Sequence, residues 1–456
     1  MLTYELKKSP GVPLYEALYR CIREDILSGK LPAGQKLPSK RALAAHLEVS
    51  NITVETAYSQ LVAEGYLCSK EKVGYFVEAV EINRTTPSVS ATVQSRSQRP
   101  LLDLTANAPA QFPFSVWNRL QRQVLLDYGD QLLEPVPHQG VAALRQAIAG
   151  HLAAFRGMQV DPENIIIGAG TDFLYNLLLQ LLGSDRVYVL EEPGYGKIRR
   201  IYDTAGAVTA SVAMDDSGVL PQTLGQGQVL HISPSHHFPT GIVTPMPRRL
   251  ALLNWALSTD SWIIEDDYDT EFRFNTHPLS AMYSPDPLGR VIYMNSFSKS
   301  LAPSIRIGYM VLPPVLMQLF REKLGFYSST VSGFEQHTLA RFLQEGYFEK
   351  HINRMRKFYK ARRNRLVELL QNCPWAHMLT IQEADAGLHF LLRVDTRLED
   401  GQLVAFCEEK GLRVRSLGSY YHDAVPENAR HTLVINYSGL REGDMTTLET
   451  LLQYQA

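Results

Sequence analysis

Residues 295–309 read NSFSKSLAPSIRIGY, a polar turn that holds two cations between apolar stretches. Lys299 stands between two serines, and Arg306 follows seven positions later. A lysine amine that is partly desolvated beside another cation gives up its proton readily and can then form an imine with an aldehyde. Arg306 can bind a phosphate with two hydrogen bonds, and Ser296 and Ser298 lie close enough in sequence to assist it. The stretch therefore predicts a turn that receives a phosphorylated aldehyde.

A strand that ends in carboxylates precedes this turn. Residues 262–272 read WIIEDDYDTEF, an apolar run followed by acids. Open α/β sheets bind ligands at the carboxyl ends of their parallel strands. At such an end Asp266 would pair with a pyridinium nitrogen, and Tyr268, two residues on and so on the same side, could reach a ring hydroxyl. Pyridoxal phosphate (PLP) needs an amine, a carboxylate for its ring nitrogen, a phosphate cup and a ring support, so we expect PLP as the cofactor.

Two further segments supply the phosphate cup and the ring support. Residues 164–182, NIIIGAGTDFLYNLLLQLL, read as strand, glycine turn and helix. Gly170 and Thr171 then open a helix, where free backbone N–H groups and the helix dipole favour phosphate. Tyr195, in the EEPGYGK segment that follows the strand DRVYVL, is a candidate ring to stack on the pyridine. Lys197, two residues on, either grips an effector carboxylate or phosphate or is a surface lysine, and the sequence favours neither reading.

Taken singly, each of these features is more often a solvated loop or a simple cap than a site. Their conjunction, in this order on alternating strand-like and helix-like runs beyond residue 160, favours a site. The same alternation predicts an α/β fold with a mostly parallel sheet covered on both faces. Residues 81–100, EINRTTPSVSATVQSRSQRP, show no apolar period and predict a flexible linker. That linker would separate an N-terminal domain, residues 1–80, from a large domain, residues 101–456.

Composition narrows the class of protein further. A formal charge of −2 with 45% hydrophobic residues is typical of a soluble globular chain, so any DNA contact needs a local surface. The four cysteines lie far apart without a C-x-x-C pair, which indicates neither a disulfide framework nor a zinc site. We find no signal-like or membrane-spanning run and expect a cytoplasmic protein without a membrane partner. His231, His236 and His237 have no acid or thiol spaced for coordination, so we expect no metal.

The N-terminal domain shows helical periodicity. Apolar residues recur every fourth position in its first segment, at Leu14, Leu18, Ile22 and Ile26. Ser39 can cap a short helix, KRALAAHL, and Ser50 a second, TVETAYSQLVAEG, whose inward face is Val54, Ala57, Tyr58 and Leu61. Two short helices joined by EVS make a helix-turn-helix. The following YLCSKEKVGYFVE reads as two short strands around a turn, which is a wing.

This domain resembles the winged helix-turn-helix of GntR-type regulators over nearly all of residues 11–78. The matching sequence segments are GKLPAGQKLPSKRALAAHLEVS, TVETAYSQLVAEGYL and VGYFV. The resemblance implies a double-stranded DNA operator as partner. The residues it implies for DNA contact are Ser39, Lys40, Arg41, Ser50, Asn51, Thr53, Lys72 and Gly74. Asn51 stands where the family often has arginine, and it suits adenine or a phosphate better than guanine. The alternative is a helical module for dimerisation or protein binding.

Residues 101–456 resemble fold-type I aminotransferases in the ordered motifs GAGT, EEPGY, SHHFPTG, EDDYD and SFSKSLAPSIRIGY. The resemblance implies a small C-terminal α/β subdomain and a PLP Schiff base on Lys299. Ordinary members carry H-N-P-x-G, whose asparagine holds the cofactor hydroxyl, but here Phe238 takes that place. The combination of the motif SHxFPTG with a GntR-type N-terminal domain resembles the MocR/GabR subfamily of PLP-dependent transcription regulators. That subfamily implies head-to-tail, domain-swapped homodimers in which an amine ligand reacting at Lys299 changes DNA affinity.

Three functions remain open at this point. The favoured one is a regulator that senses an amino compound or PLP itself through Lys299. The second is an active PLP-dependent aminotransferase with an appended DNA-binding domain, and the third is a cofactor-free regulator. Arg413 and Arg415, which alternate with valine and leucine in GLRVRS, are candidates to bind an effector carboxylate. The effector remains open among PLP, a γ-amino acid, taurine and a D-amino acid, as do the operator and the direction of regulation.

Overall fold

The computed structural model describes residues 2–4, 6, 13–71, 73–79, 102–106, 111–274, 279–284, 286, 288–383 and 387–453. Backbone contacts divide the chain into two compact units, Met1–Arg96 and Ser97–Ala456. We call the first the head and the second the body, and describe each by itself. The linker predicted at residues 81–100 lies outside the described residues.

The described part of the head has α1 (Leu14–Leu27), α2 (Lys40–His46), α3 (Asn51–Ala63), β1 (Leu67–Lys70) and β2 (Gly74–Val77). Helices α2 and α3 begin at the predicted caps. Ser39 Oγ accepts the N–H of Ala42 at 3.2 Å, and Ser50 Oγ accepts that of Thr53 at 3.1 Å. Each cap satisfies a backbone donor that the first helical turn leaves without a partner. Strands β1 and β2 pair antiparallel. The predicted winged helix-turn-helix is confirmed.

One apolar core holds the head together. The predicted inward residues of α3 are all buried, and so are Leu18, Ile22 and Ile26 on α1. Leu67 of β1 and Val77 of β2 close the same core and lie opposite one another in the hairpin. The periodicity of these residues, rather than propensity alone, therefore sets how the three helices pack.

The described part of the body alternates helices with strands. Its helices are α4 (Phe114–Tyr128), α5 (Ala142–Arg156), α6 (Thr171–Leu182), α7 (Gly196–Thr204), α8 (Met246–Ser258), α9 (Phe297–Ser300), α10 (Pro314–Leu324), α11 (Gly333–Gln344), α12 (Tyr347–Gln371), α13 (Asp400–Glu409) and α14 (Glu442–Gln453). Its strands are β3 (Leu102–Asp103), β4 (Ile165–Gly168), β5 (Val187–Glu192), β6 (Val208–Asp215), β7 (Gly218–Val219), β8 (Val229–Ile232), β9 (Trp262–Asp266), β10 (Val291–Ser296), β11 (Gly308–Val311), β12 (Leu379–Gln382), β13 (His389–Val394), β14 (Leu412–Arg413), β15 (Arg415–Ser416) and β16 (Thr432–Asn436).

The central sheet runs β4-β11-β10-β9-β8-β5-β6-β7 within the described ranges. Strands β10, β9, β8, β5 and β6 are parallel, whereas β11 is antiparallel to both β10 and β4, and β7 is antiparallel to β6. Neighbouring residues of β9 pack into different cores, Ile264 on one face and Ile263 on the other. The prediction of a mostly parallel sheet covered on both faces is confirmed, with β11 and β7 as the exceptions.

A second sheet forms the C-terminal subdomain that the resemblance implied. It has the order β12-β13-β16-β15, and all its pairs are antiparallel. Strand β3 pairs with β14, so the first described residues of the body join this subdomain. The carboxyl ends of β5, β8, β9 and β10 meet at one edge of the central sheet, and ligand sites of open α/β folds lie at such an edge.

Gly140 fixes the start of α5 against the central sheet. Its φ is +90°, and a Cβ there would lie 2.6 Å from Gln336 Oε1 and 2.7 Å from Ile167 Cδ1. Gln336 Oε1 accepts the N–H of Val141, the residue before α5, at 2.8 Å. Both the backbone conformation and the available space therefore require glycine.

Replacing Gly140 with alanine should destabilise the body by about 2 kcal/mol, since the methyl group strains the backbone and collides with a buried amide. Gly150→Ala is the matched control: Gly150 lies inside α5 with nothing within 4 Å of an added Cβ. The control should stabilise by about 0.5–1 kcal/mol. Urea unfolding followed by tryptophan fluorescence reports the body alone, because Trp117, Trp255, Trp262 and Trp375 all lie in it. Equal midpoints for the two variants would contradict this account.

Candidate cofactor cavity and nucleic-acid interface

A cavity of about 500 Å³ opens at the carboxyl ends of β5, β8, β9 and β10. This volume is within the usual range of small-molecule sites. Gly170 lies beside it, because a Cβ on this residue would be 2.9 Å from Cζ of Arg306 in the cavity wall. All the other predicted cofactor-binding residues line the cavity: Thr171, Tyr195, Asp266, Tyr268, Ser296, Ser298, Lys299 and Arg306. Residues far apart in sequence are thus brought to one place.

Asp266, which lines this cavity, has one carboxylate oxygen without a hydrogen-bond partner among the described residues. Its Oδ2 accepts a hydrogen bond from the hydroxyl of Tyr175 and lies 3.4 Å from Nε2 of His231. Its Oδ1 is buried without a hydrogen-bond partner among the described residues. A buried carboxylate oxygen without a donor is costly, so the site fits a ligand that brings an N–H group to this point. The pyridinium nitrogen of PLP is such a donor.

Lys299 supplies the amine. It lies in α9, directly after β10, where the chain turns at the sheet edge. Burial lowers the pKa of its amine to about 8, against which the charge of Asp269 acts to raise it. A larger fraction of the amine is therefore unprotonated near neutral pH than for an ordinary lysine, and the unprotonated form is the nucleophile.

A cradle for phosphate lies where α6 begins. Gly170, at φ +82°, precedes the helix, and Arg306 Nη2 donates to Ala169 O and to Asp172 Oδ2, at 3.2 Å in each case. A Cβ at Gly170 would occupy the space that the guanidinium fills. Backbone N–H groups of the first turn and a cation therefore point to the same place, an arrangement that suits phosphate.

Lys197 lies at this same end of the cavity. Its Nζ donates to Asp172 Oδ2 at 2.7 Å, the oxygen that Arg306 also contacts. Burial favours a raised pKa for Asp172, but the hydrogen bonds and charges of Lys197 and Arg306 outweigh it and lower the pKa. Sequence reasoning missed Asp172, whose Oδ2 contacts both cations.

Aromatic side chains form the wall beside Lys299. Tyr195 is half-exposed and meets Phe238 edge-on, with ring centroids 5.9 Å apart. Phe238 also meets Tyr268, at 6.3 Å, and Tyr420, at 5.2 Å, both edge-on. Tyr195 is thus placed to support a flat ligand, and Tyr420 brings the C-terminal subdomain to the same wall.

The two arginines proposed for an effector carboxylate differ in position. Arg413 pairs with Asp103 at 3.3 Å, where β14 meets β3, and it is not among the residues that line the cavity. An effector role for Arg413 stays a prediction, and the pair with Asp103 is the contact that an effector carboxylate would have to replace. Arg415 interacts with Tyr420 through its charge and a side-chain hydrogen bond. Burial raises the pKa of Tyr420, and Arg415 lowers it in part. It therefore lies behind a residue of the cavity wall.

Two acids at the end of β5 were not singled out from the sequence. Burial raises the pKa of Glu191 to about 8, although Ser233 N–H donates to it at 2.9 Å. His237 Nε2 lies 3.5 Å from Glu191, and burial lowers the pKa of His237 to about 3, so burial favours the neutral form of both side chains. Glu192 instead accepts the N–H groups of His422 at 2.6 Å and Asp423 at 2.7 Å. It ties the sheet edge to the C-terminal subdomain.

The histidines dismissed as metal ligands have an acid beside them after all. Asp269 lies 2.9 Å from His236 Nδ1, and atoms of His236, Asp269 and His389 lie within 4.8 Å of one another. The expectation that no acid is spaced for coordination was wrong, because Asp269 is 33 positions away in sequence and reaches the loop only through the fold. Both oxygens of Asp269 are at hydrogen-bond distance from His236, so we treat the pair as hydrogen-bonded and assign it no ion.

Most of the predicted DNA-binding residues of the head lie at the starts of two helices, α2 and α3. Ser39, Arg41, Ser50 and Asn51 are exposed, and Thr53 is half-buried. Lys40 is bound to Glu55 of α3, so part of its charge is already neutralised. Gly74 is the first residue of β2, and its φ is +132°. A Cβ at this position would lie 3.1 Å from Cε of Lys36. Lys72 lies outside the described residues.

Two family models match the chain: aminotransferase class I and II over residues 99–434, and bacterial regulatory proteins of the gntR family over residues 14–77. The chain is 35% identical to the HTH-type transcriptional regulator YdeL of Bacillus subtilis (strain 168), with 97% of each chain covered. It is 34% identical to the probable rhizopine catabolism regulatory protein MocR of Rhizobium meliloti, covering 95% of this chain and 92% of MocR.

Among solved structures, the chain is similar to a kynurenine aminotransferase of Pyrococcus horikoshii in complex with PMP. The identity is 25% and the TM-score 0.67, with 78% of this chain and 90% of that chain covered. This likeness confirms the fold expected of the body. Across the described ranges, no helix combines the length and the apolar composition needed to cross a membrane.

Replacing Asp266 with asparagine should weaken PLP binding about 10- to 150-fold, the equivalent of one hydrogen bond to a charged group. Asp203→Asn is the control, because Asp203 also lines the cavity but accepts a hydrogen bond from Thr209, at 2.6 Å. Equilibrium dialysis of each purified variant against PLP measures the difference. Wild-type affinity in Asp266→Asn would show that its orphaned oxygen does not face the cofactor.

Proposed function

We propose that this chain changes its affinity for DNA when a small amine, an amino acid or PLP itself binds at Lys299. The chain belongs to the MocR/GabR subfamily of GntR-type regulators, which carry an aminotransferase class I and II domain. The chain is a helix-turn-helix transcription regulator, and its cofactor is PLP. The observation that carries the proposal is one cavity in the body of a DNA-binding chain, where a buried lysine, an orphaned carboxylate oxygen and an arginine cradle converge.

Each cavity residue has a distinct task in this proposal. PLP supplies an aldehyde that reacts reversibly with amines, and its ring withdraws electrons. Asp266 keeps the ring nitrogen charged, and Arg306 with the first turn of α6 holds the phosphate. Lys299 would hold the aldehyde end, and Tyr195 would support the ring. If another amine took the place of Lys299, the lysine amine would be left free in the cavity, and this change of charge would be able to bias a two-state element.

The effector end of the cavity favours an amine that also carries an anionic group. Lys197 lies in the wall, where it shares Asp172 with Arg306, and Arg415 lies behind Tyr420. A carboxylate or phosphate on the effector would compete with Asp172 for Lys197 and Arg306. A γ-amino acid, taurine and a D-amino acid each join an amine to an anionic group. PLP, the remaining candidate, would bring its phosphate and its own aldehyde. We place the regulator in the cytoplasm, together with its operator.

We further propose that the regulator is a head-to-tail, domain-swapped homodimer. Large apolar side chains that a monomer rarely leaves in water support an interface on the body. On and after α4, Phe114 is 70% exposed, Leu126 77% and Leu133 76%. Phe326, after α10, is 77% exposed.

An active aminotransferase is the second candidate, favoured by Glu191, a neutral carboxyl group in the cavity wall that could move a proton. Against it, Phe238 provides no hydrogen bond at the place where ordinary aminotransferases carry asparagine. Steady turnover of an amino acid with a keto acid in a coupled assay would favour the enzyme over the regulator.

Lys299→Ala should remove the visible absorption of the PLP-loaded protein and uncouple DNA affinity from the effector. In the wild type we expect an effector-dependent change of about 5- to 150-fold in DNA affinity, the usual size of allosteric coupling. In the variant the change should be smaller than about two-fold, because no amine is left to be displaced. Fluorescence anisotropy on DNA upstream of the chain's own gene, with a panel of amines and PLP, measures it. Lys323→Ala, an exchange on α10, is the control. A normal response in Lys299→Ala would contradict the mechanism.

Arg41→Ala should weaken DNA binding equally for all sequences and reduce the slope of log K against log salt by about 0.9, the value for one lost phosphate contact. Arg20→Ala removes the same charge from α1, where Arg20 pairs with Glu16, and should leave the slope unchanged. The measurement is anisotropy at several salt concentrations. A slope that falls equally in both variants would mean that the start of α2 does not face the phosphates.

A further inference from the structure

Behind the cavity wall lies a buried polar group that the roles above do not use. Asp269 is 2% exposed, His236 4% and His389 3%. None of the three lines the cavity, but Tyr268, next to Asp269 in sequence, does. Polar side chains buried to this degree need hydrogen-bond partners, and one member of this group, Asp269, acts on the amine of Lys299.

Asp269 is held by His236 and in turn holds Tyr268. His236 Nδ1 lies 3.0 Å from Oδ1 and 2.9 Å from Oδ2 of Asp269, and since a carboxylate only accepts, this nitrogen carries the proton. The hydroxyl of Tyr268 lies 3.2 Å from the same nitrogen and is hydrogen-bonded to Asp269, which together with burial raises the pKa of Tyr268. The carboxylate is therefore fixed from two sides.

His389 completes the group without adding charge to it. Its Nε2 donates to the carbonyl of Pro239 at 3.0 Å, and burial lowers its pKa to about 3, so it is neutral. The other titratable groups that act on Asp269 or are acted on by it are Arg273, Tyr437 and Lys299. Of these, Lys299 is the one whose amine opens into the cavity, and Asp269 is the charge that opposes the effect of burial on it.

The backbone closes this group on its remaining side. Gly387, at φ +73°, approaches so closely that a Cβ would lie 2.0 Å from His236 Cε1 and 2.8 Å from Asp269 Oδ2. The N–H of Gly387 donates to Phe272 O at 3.0 Å, and its carbonyl accepts the hydroxyl of Tyr437 at 2.6 Å. Asp269 is therefore shut away from bulk water, where its charge would be screened.

We propose that Asp269, positioned by His236, is the counter-charge of Lys299 and orients Tyr268 at the cofactor. The proposal rests on the proposed function, since it assigns these side chains a role toward the amine that receives PLP. Both are positioning residues. Asp269 acts through space on the amine and by hydrogen bond on Tyr268, and His236 holds the carboxylate in place through its Nδ1–H.

The test is the pH midpoint of the visible absorption band of the PLP-loaded full-length protein. Asp269→Asn removes the negative charge that favours the protonated nitrogen, so the midpoint should fall by about one unit or more. His236→Leu removes the donor and should lower it by less, whereas His236→Gln keeps a donor and should match the wild type. Glu192→Gln is the control, a cavity carboxylate bound to backbone N–H groups of residues 422 and 423.

A second measurement needs no cofactor. The pH dependence of acetylation of Lys299 by acetic anhydride, followed by peptide mass spectrometry, reports the free amine in the same variants. Its midpoint in the wild type should lie near pH 8 and fall in Asp269→Asn. If Asp269→Asn matches Glu192→Gln in both measurements, the proposal is overturned. If the wild type forms no visible band with PLP, the proposed function fails instead, and the acetylation profile still decides the role of Asp269.

Discussion

The buried amine of Lys299, held where the parallel strands of the body end, is the constraint on which the rest of the cavity depends. Taking an ammonium group out of water favours its neutral form, and here burial lowers the pKa to about 8. The turn from β10 into α9 is what holds the amine in that position. Around it the cavity offers Asp266, which has an oxygen without a partner among the described residues, and Arg306 with Lys197, which share Asp172. A ligand with a cationic ring and an anionic tail has a charged partner for each part.

Both the central sheet and the C-terminal subdomain of the body contribute to the cavity wall. Glu192, at the end of β5, accepts N–H groups from residues 422 and 423, and Gly194 N–H donates to Tyr420 O at 3.0 Å. On the other side, Gly387 packs against the His236–Asp269 pair. The contacts between the central sheet and the C-terminal subdomain therefore lie directly beside the cavity, where the proposed effector would bind.

Much of this architecture could be predicted from the sequence because its signals are local. Caps, helical periodicity and the short strands of the wing lie within a few residues of one another, and they located α2 and α3 to within two residues. The cofactor motifs were also readable, since Asp266 ends a strand and Lys299 and Gly170 each follow one in sequence. What the sequence did not disclose are contacts made only by folding. Tyr175 and His231 meet Asp266 from separate elements, and Asp269 meets His236 across 33 positions. The pair of Arg413 with Asp103 is a further contact of this kind, since the two residues are far apart in sequence.

The most direct test of the account is to locate the cofactor on the chain. The full-length protein, incubated with PLP, would be reduced with sodium borohydride, digested and mapped by mass spectrometry. The account predicts one phosphopyridoxyl group, on Lys299, in near-stoichiometric amount. Modification spread over exposed lysines, or concentrated on another residue while Lys299 stays unmodified, would contradict it.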